Sequence, residues 1–494
     1  MKKTLTAMAV LMAASIVCTH AQTGDDYRRQ YDEYSRTARQ KYDNFRQKCN
    51  DDYARFVEQA WQSFSSRPAL KLPDEDKPVP PRPYDIRNDS IDRRTPVELP
   101  HDEVVPAPVP QPQPAPVEPV KEQPAPETVP FTFTYCGTTM SVRLSDAHRF
   151  TLTDCSESSV AKAWSRCSQP DFDNVLRDCL ALRLAYGLCD WAYLQMLRCM
   201  SEAFMGTGPD EATLLAAYIY CQSGYRMRLG RSAGSRLCML AASRHKIYGR
   251  PYFVVDGENF YPIGSDERNL EICGAAFPKE QSLSLYMTSA PLLAMNATPP
   301  RTLQSERYAD MRATVSVNRN LLDFYSGYPA SEISGNFMTR WAMYANTAMD
   351  NAVRDSLYPA LRRAIDGLPA KEAAECLLNF GQTAFVYEYD ETVWGADRAF
   401  FSEETLFYPY CDCEDRSILF SRLVRDLLGL PVVLVYYPGH LASAVCFGDD
   451  NTTGDYIRLG NRSFVICDPT YIGAGIGVTM PGMDNTAAKV ILLE

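Results

Sequence analysis

The chain is 494 residues long, with 50 Lys+Arg against 61 Asp+Glu and a formal net charge of −11. That length holds two or three domains with cores of their own. The acidic balance, spread without long runs of one sign, argues against a nucleic-acid partner, and five histidines in all leave little for a histidine-rich metal centre.

Lys2 and Lys3, the apolar stretch Leu5 to Val17 and a cut site at Thr19-His20-Ala21 read as an export signal over residues 1–21. A lipid-anchored Cys18 is the second reading, disfavoured by the bulk of Val17 before it. No later apolar run reaches the length of a membrane span. The mature chain is therefore expected to be exported and soluble, in a periplasm or at the cell surface, with no integral membrane segment. Fifteen cysteines remain past residue 21, an odd number that leaves at least one thiol free or paired between molecules. Cys179, Cys189, Cys199 and Cys221 fall in apolar helical patterns and read as small buried hydrophobes.

Residues 22–67 carry an eleven-residue period, with apolar or small residues at Tyr27, Tyr31, Tyr34, Ala38, Tyr42, Phe45, Cys49, Tyr53, Phe56, Ala60 and Phe64. Eleven residues in three turns lie close to the natural helical pitch, so a long straight helix with one aromatic stripe is expected. The stripe calls for a second copy, another protein or this chain's own body. Residues 68–130 hold eighteen of the 34 prolines, as in "VPAPVPQPQPAPVEP". Such a segment cannot build a core and favours extended polyproline II, a semi-rigid spacer holding the helix away from the body.

Residues 131–290 open with "FTFTYCGTTMSVRL", which reads as a hairpin, and continue through helical patterns to Phe204. Residues 291–369 mix an alternating "ATVSVNRNLLDF" with a helix near "NAVRDSLYPALRRAI". The last domain, 370–494, begins with the helix "KEAAECLLNFGQTAF".

The chemistry-bearing stretch is "YPYCDCEDRSILFSRLVRDLLGLPVVLVYYPGHLASAV", residues 408–445. Ile418, Leu419, Leu423, Val424 and Leu427 form a helical stripe that Gly429 and Pro431 end, so a helix starts near Cys413. A thiol at a helix N-terminus feels the positive end of the dipole, which favours thiolate. Asp412, Glu414 and Asp415 oppose this unless they cap backbone amides, so Cys413 needs a base. His440 opens an alternating strand, and a second strand, "SFVIC", ends at Asp468. Laid antiparallel, the start of one sits beside the end of the other, placing His440 next to Asp468. Cys413, His440 and Asp468 can then form a relay in which thiolate attacks, imidazole moves the proton and carboxylate fixes the tautomer. Two other readings stay open: a zinc site drawn from Cys411, Cys413, Cys446, Cys467 and His440, and a structural role with a buried Cys413.

"DCEDRS", then "PGH" opening a strand, then "DPTY" closing another, at spacings of 27 and 28 residues, resembles the transglutaminase-like superfamily, in particular the bacterial transglutaminase-like cysteine proteases. The resemblance covers about residues 370–494. It implies an α+β, transglutaminase-like or papain-like fold, a cysteine-bearing helix packed on a small antiparallel sheet. It implies Cys413 as nucleophile, His440 as base and Asp468 as orienting acid. Gln382, on the preceding helix, is the candidate oxyanion donor. The expected activity is acyl transfer on a protein or peptide, by amide hydrolysis, with no metal or organic cofactor. Cross-linking by an amine, and a catalytically silent scaffold working through helix and spacer, are the alternatives.

A second copy is also expected. Asp210 to Gly224 and Asp415 to Gly429 share the same acid-to-glycine spacing with apolar positions in step, and "RPYFVVDGENFYPIG" has the rhythm of two strands. Residues 131–290 then hold a degenerate transglutaminase-like unit. Gly208 stands at the nucleophile's place, Ser235 or Tyr248 at the histidine's, and Tyr261 or Gly264 at the acid's, with His245 nearby.

Overall fold

The computed structural model describes residues 24–72, 83–84, 95–116, 120, 122–123, 130–206, 208–233, 235–448 and 452–494. The expected export signal lies outside them. The chain divides into two compact units, Met1–Asp52 and Tyr53–Glu494. Among the described residues no helix is long and apolar enough to cross a membrane.

The first unit is described as helix only, part of a single helix Gly24–Val57. The helix was expected to run through Phe64, and it stops earlier. Trp61 turns back to donate from Nε1 to the Val57 carbonyl at 3.0 Å, and Gln62–Ser65 is a strand paired antiparallel with Asn269–Ile272. The aromatic at Phe64 that fitted the eleven-residue repeat belongs to this strand and packs on the core of a sheet. The stripe is not uniformly covered either: Tyr53 is buried against Trp164 at 4.2 Å between ring centroids, whereas Phe45 and Phe56 are 42% and 53% exposed.

The second unit is α+β, built on two sheets. In the first sheet the strands lie in the order Gln62–Ser65, Asn269–Ile272, Met227–Ser232, Leu237–Ala242, Glu258–Ile263, Phe253–Val255. In the second the order is Glu103–Val105, Lys489–Leu492, Val432–Tyr437, His440–Val445, Arg462–Cys467, Asp455–Leu459, Val97–Glu98. Read side by side, the first six places of both sheets have the same chain order apart from the added edge strand. Each sheet also carries a buried helix that runs directly into its central hairpin, Pro209–Gln222 in one case and Cys413–Leu428 in the other. Helices Asp190–Met205 and Ala370–Thr383 pack alongside them. The expected hairpin forms from Phe131–Tyr135 and Thr138–Val142.

Period-two alternation sorts the second sheet's side chains onto two faces. Val445, Val465 and Cys467 join Leu419 and Leu423 of the cysteine helix in one core. Val433, Val435, Ala442, Ala444, Phe464 and Ile466 form a separate core on the far face, which Leu99 enters. Leu99 comes from the proline-rich segment, expected to be a spacer. Its described parts lie on the body instead: Val97–Glu98 and Glu103–Val105 each add a parallel strand to the second sheet, and Gln113 donates to the Leu188 carbonyl at 3.0 Å. Extended, donor-poor backbone is suited to an edge strand, where one side needs no pairing.

Candidate active site

Cys413 is the first residue of its helix, with Asp412 as N-cap. Gly429 ends the helix in the left-handed conformation, φ 67°. Ser417, one turn further on the same helix face, donates from Oγ to the Leu441 carbonyl at 2.9 Å. Leu419 and Leu423, deeper in the helix, share a core with Val445 at the other end of that strand. The head of the helix therefore lies toward the head of the strand, where His440 is the first residue. Pro438-Gly439 closes the turn before it, Gly439 at φ 78°, and pairs His440 with Tyr437.

His440 and Asp468 meet as the antiparallel reading requires. Ser443 pairs with Cys467, and Nε2 of His440 lies 2.9 Å from Asp468 Oδ2. The other carboxylate oxygen of Asp468 accepts from the backbone N–H groups of Thr470 and Tyr471, at 2.8 and 3.2 Å. An acid so fixed draws the imidazole proton to Nε2. Nδ1 is left buried with no hydrogen-bond partner among the described residues, an acceptor lone pair available to a thiol. Both side chains are buried.

Gln382 does different work from that expected. Its Nε2 donates to the carbonyls of Asp468, Tyr471 and Ala474 at 3.1, 2.9 and 3.0 Å, and Oε1 accepts from Gly473 N–H. With its amide hydrogens committed to the loop after Asp468, it positions the acid rather than supplying an oxyanion donor. Arg416, 1% exposed, donates to the Gln382 and Phe385 carbonyls at 2.9 Å each and so ties that helix end to the cysteine helix.

The surroundings of Cys413 are acidic. Its Sγ lies 3.3 Å from Glu414 Oε2. Asp415 accepts from Phe400 N–H at 2.8 Å and from Asp412 N–H at 3.3 Å, half of a reciprocal cap. Asp390, Asp397, Glu403, Glu404 and Arg340 complete a buried cluster that the sequence reading missed. Burial, then the charges of Asp397 and Asp390, push the Glu414 carboxyl up to about 8. Burial likewise raises Asp412 and Asp415, each reinforced by neighbouring carboxylates, and brings Glu403 and Glu404 to about 7. Glu403-Glu404 sits between "AFFS" and "TLF"; adjacent acids in an apolar frame were the available signal. Three overlapping groups, Asp412/Cys413/Glu414, Asp390/Asp412/Asp415 and Asp390/Asp397/Glu414, place one ligand atom per residue within 4.8 Å of the others. These could hold a cation in place of shared protons. The zinc set drawn from the sequence does not assemble: Cys411, Cys446, Cys467 and His440 belong to none of these groups among the described residues.

In the first sheet, Met239 pairs with Ile263 and Leu229, as Ser443 pairs with Cys467 and Leu434. Matching these registers puts Arg236 at the place of His440 and Gly264 at the place of Asp468. This register excludes Ser235, Tyr248 and Tyr261 as matches and keeps Gly264; Ser235 misses by one residue because the turn after Ser232 is longer by one. Gly208 is the N-cap and Pro209 the first residue of the matching helix, so no thiol stands there. His245 follows the far end of its strand, buried between Ser331 and Ser284, with burial and then Arg244 pulling it down to about 4.

Comparison with family models, curated proteins and solved structures finds no match for this chain.

Proposed function

We propose that the chain is an exported cysteine enzyme of transglutaminase-like architecture, doubled within one chain, that transfers an acyl group from a protein or peptide amide to water. The observation that supports this reading is His440, held at Nε2 by Asp468 while Nδ1 is buried without a hydrogen-bond partner among the described residues. The Cys413 thiol passes its proton to Nδ1 and the thiolate attacks the amide carbonyl. First-turn amides and the helix dipole favour the resulting oxyanion. The imidazolium returns its proton to the leaving amine as the C–N bond breaks, giving a thioester. Water, deprotonated by the same imidazole, then releases the acid and the thiol. An amine in place of water would give cross-linking.

A second reading, a silent scaffold, is favoured by one observation: Cys413 is only 7% exposed and sits against the Glu414 carboxyl, which disfavours thiolate if ionised. Iodoacetamide labelling across pH separates the two. The enzyme reading requires Cys413 to be alkylated fastest near neutral pH, and His440→Ala to slow it at least tenfold. Cys411, whose thiol burial pushes up to about 11, should lag. Equal labelling of Cys411 and Cys413, indifferent to His440, refutes the relay.

A further inference from the structure

Where the second sheet's unit has His440 and Asp468, the first has a cavity of about 370 Å³ lined by Arg198, Pro209, Thr213, Arg236 and Gly264. A second cavity of about 340 Å³ shares Arg198, Ile263 and Gly264 with it and adds Tyr135, Trp191, Arg250 and Phe324. Its volume lies at the small end for ligand pockets, about 300 to 1,000 Å³. Gly264 lines both cavities with φ 72°, and a Cβ there would stand 2.5 Å from Arg198 Nη2, so a bare glycine leaves that guanidinium its place.

Arg198 has partners, Gln195 at 2.9 Å and Glu202 at 3.2 Å. Arg250 does not. Its guanidinium lies over the Trp191 ring at 5.2 Å and makes no hydrogen bond or ion pair among the described residues. Burial, then the charge of Arg198, holds it below the usual arginine range, with Asp266 acting in the other direction. Tyr135 adds part of the same wall, with its hydroxyl enclosed beside Cys136. Asp323, the one acid lining this cavity, is exposed at the rim. Two neighbouring guanidiniums, one of them without a hydrogen bond or ion pair among the described residues, call for a planar anion, which a guanidinium fork binds through paired hydrogen bonds. Phe324 and Trp191 supply apolar walls beside it.

We propose that this cavity binds a carboxylate carried next to an apolar group, held by Arg250 and Arg198. A peptide C-terminus and a small free acid share that chemistry. The site does not rest on Cys413 and would bind whether or not the second unit is catalytic.

The test is calorimetric titration of the full chain bearing Cys413→Ala, which removes turnover. The probes are acetyl-Ala-Ala-Phe with a free C-terminus, the same peptide as its C-terminal amide, and 3-phenylpropionate. The free acid should bind at least tenfold more tightly than the amide, and Arg250→Met should weaken it at least tenfold. Arg250→Lys, which keeps the charge but loses the fork, should fall between. Stronger binding of the peptide than of 3-phenylpropionate assigns a chain end, and equal binding assigns small acids; both uphold the carboxylate site. Equal affinity for acid and amide, indifference to both Arg250 variants, or no binding at millimolar concentration overturns it. Because acid and amide are compared on one protein, the result stands even if Arg250→Met fails to fold.

Discussion

Glu403→Gln tests whether the acids beside the cysteine helix are neutral in the folded chain. Glu403 is 1% exposed; its oxygens accept from Asp350 N–H at 2.5 Å and from the Tyr325 hydroxyl at 3.3 Å, and no cation pairs with it among the described residues. Burial raises it from 4.5 to about 7. A carboxyl whose folded value is raised contributes stability that is fully present below its unfolded value and lost as pH climbs through the folded one. A change of that size corresponds to about 3 kcal/mol of penalty once the group is ionised. Glutamine keeps an acceptor for Asp350 N–H and cannot ionise. The variant should therefore match the parent within about 1 kcal/mol at pH 5 and exceed it by up to about 3 kcal/mol at pH 9. Thermal unfolding at both pH values reads the difference as a gain of several degrees at pH 9. Glu404 and Glu414 act in the same direction, so the parent's melting temperature should fall between pH 5 and 9. A variant that is less stable than the parent at pH 9 would show that Glu403 is ionised and stabilised there, and the reasoning would fail.

Asp468→Asn should slow alkylation of Cys413 at neutral pH at least tenfold while leaving the melting temperature nearly unchanged, because the amide can present its N–H and leave the imidazole in the wrong tautomer. Gln382→Ala removes three donated hydrogen bonds from the loop after Asp468, so amide exchange at residues 471–474 should accelerate and stability drop by about 2 kcal/mol. Arg416→Met leaves the Gln382 and Phe385 carbonyls without their donor in a buried setting. Denaturant unfolding should report a loss of about 3 kcal/mol.

Two parts of the site were legible because their signals are local: the helix start at Cys413, marked by its apolar stripe and the glycine stop, and the meeting of His440 with Asp468, from two strands each bearing a chemical residue at one end. The likeness of the two helix-to-hairpin segments was legible from the equal acid-to-glycine spacing of Asp210–Gly224 and Asp415–Gly429, but the register of the strands was not. A turn longer by one residue after Ser232 moves every pairing, and nothing in a single hairpin sequence announces turn length when glycine and serine occupy it. Gln382 was read as an oxyanion donor, whereas its amide is committed to the loop after Asp468, since which carbonyls an amide meets depends on how residues 468–474 fold back. The buried acids were missed for a different reason: Asp390 lies on one short helix and Glu403 and Glu404 on another, and charged residues in sequence read as solvated faces. Phe64 shows the limit of periodicity, because one aromatic at the end of a repeat fits a helix and a strand equally well.

The residues between Glu98 and Glu103 have a consequence for assembly. Seven strands laid flat would set the outermost pair about 29 Å apart, yet five Cα steps reach at most about 18 Å. The two edge strands of the second sheet, joined by that short strap, must therefore be brought toward each other, so the sheet is curled rather than flat, with Leu99 of the strap in the core on one face. The strap leaves the ribosome hundreds of residues before Lys489–Leu492, against which one of its ends pairs. That edge strand has to wait, unpaired, until Lys489–Leu492 has been made. Completion of this edge of the sheet is therefore an event that follows synthesis of almost all the strands it joins.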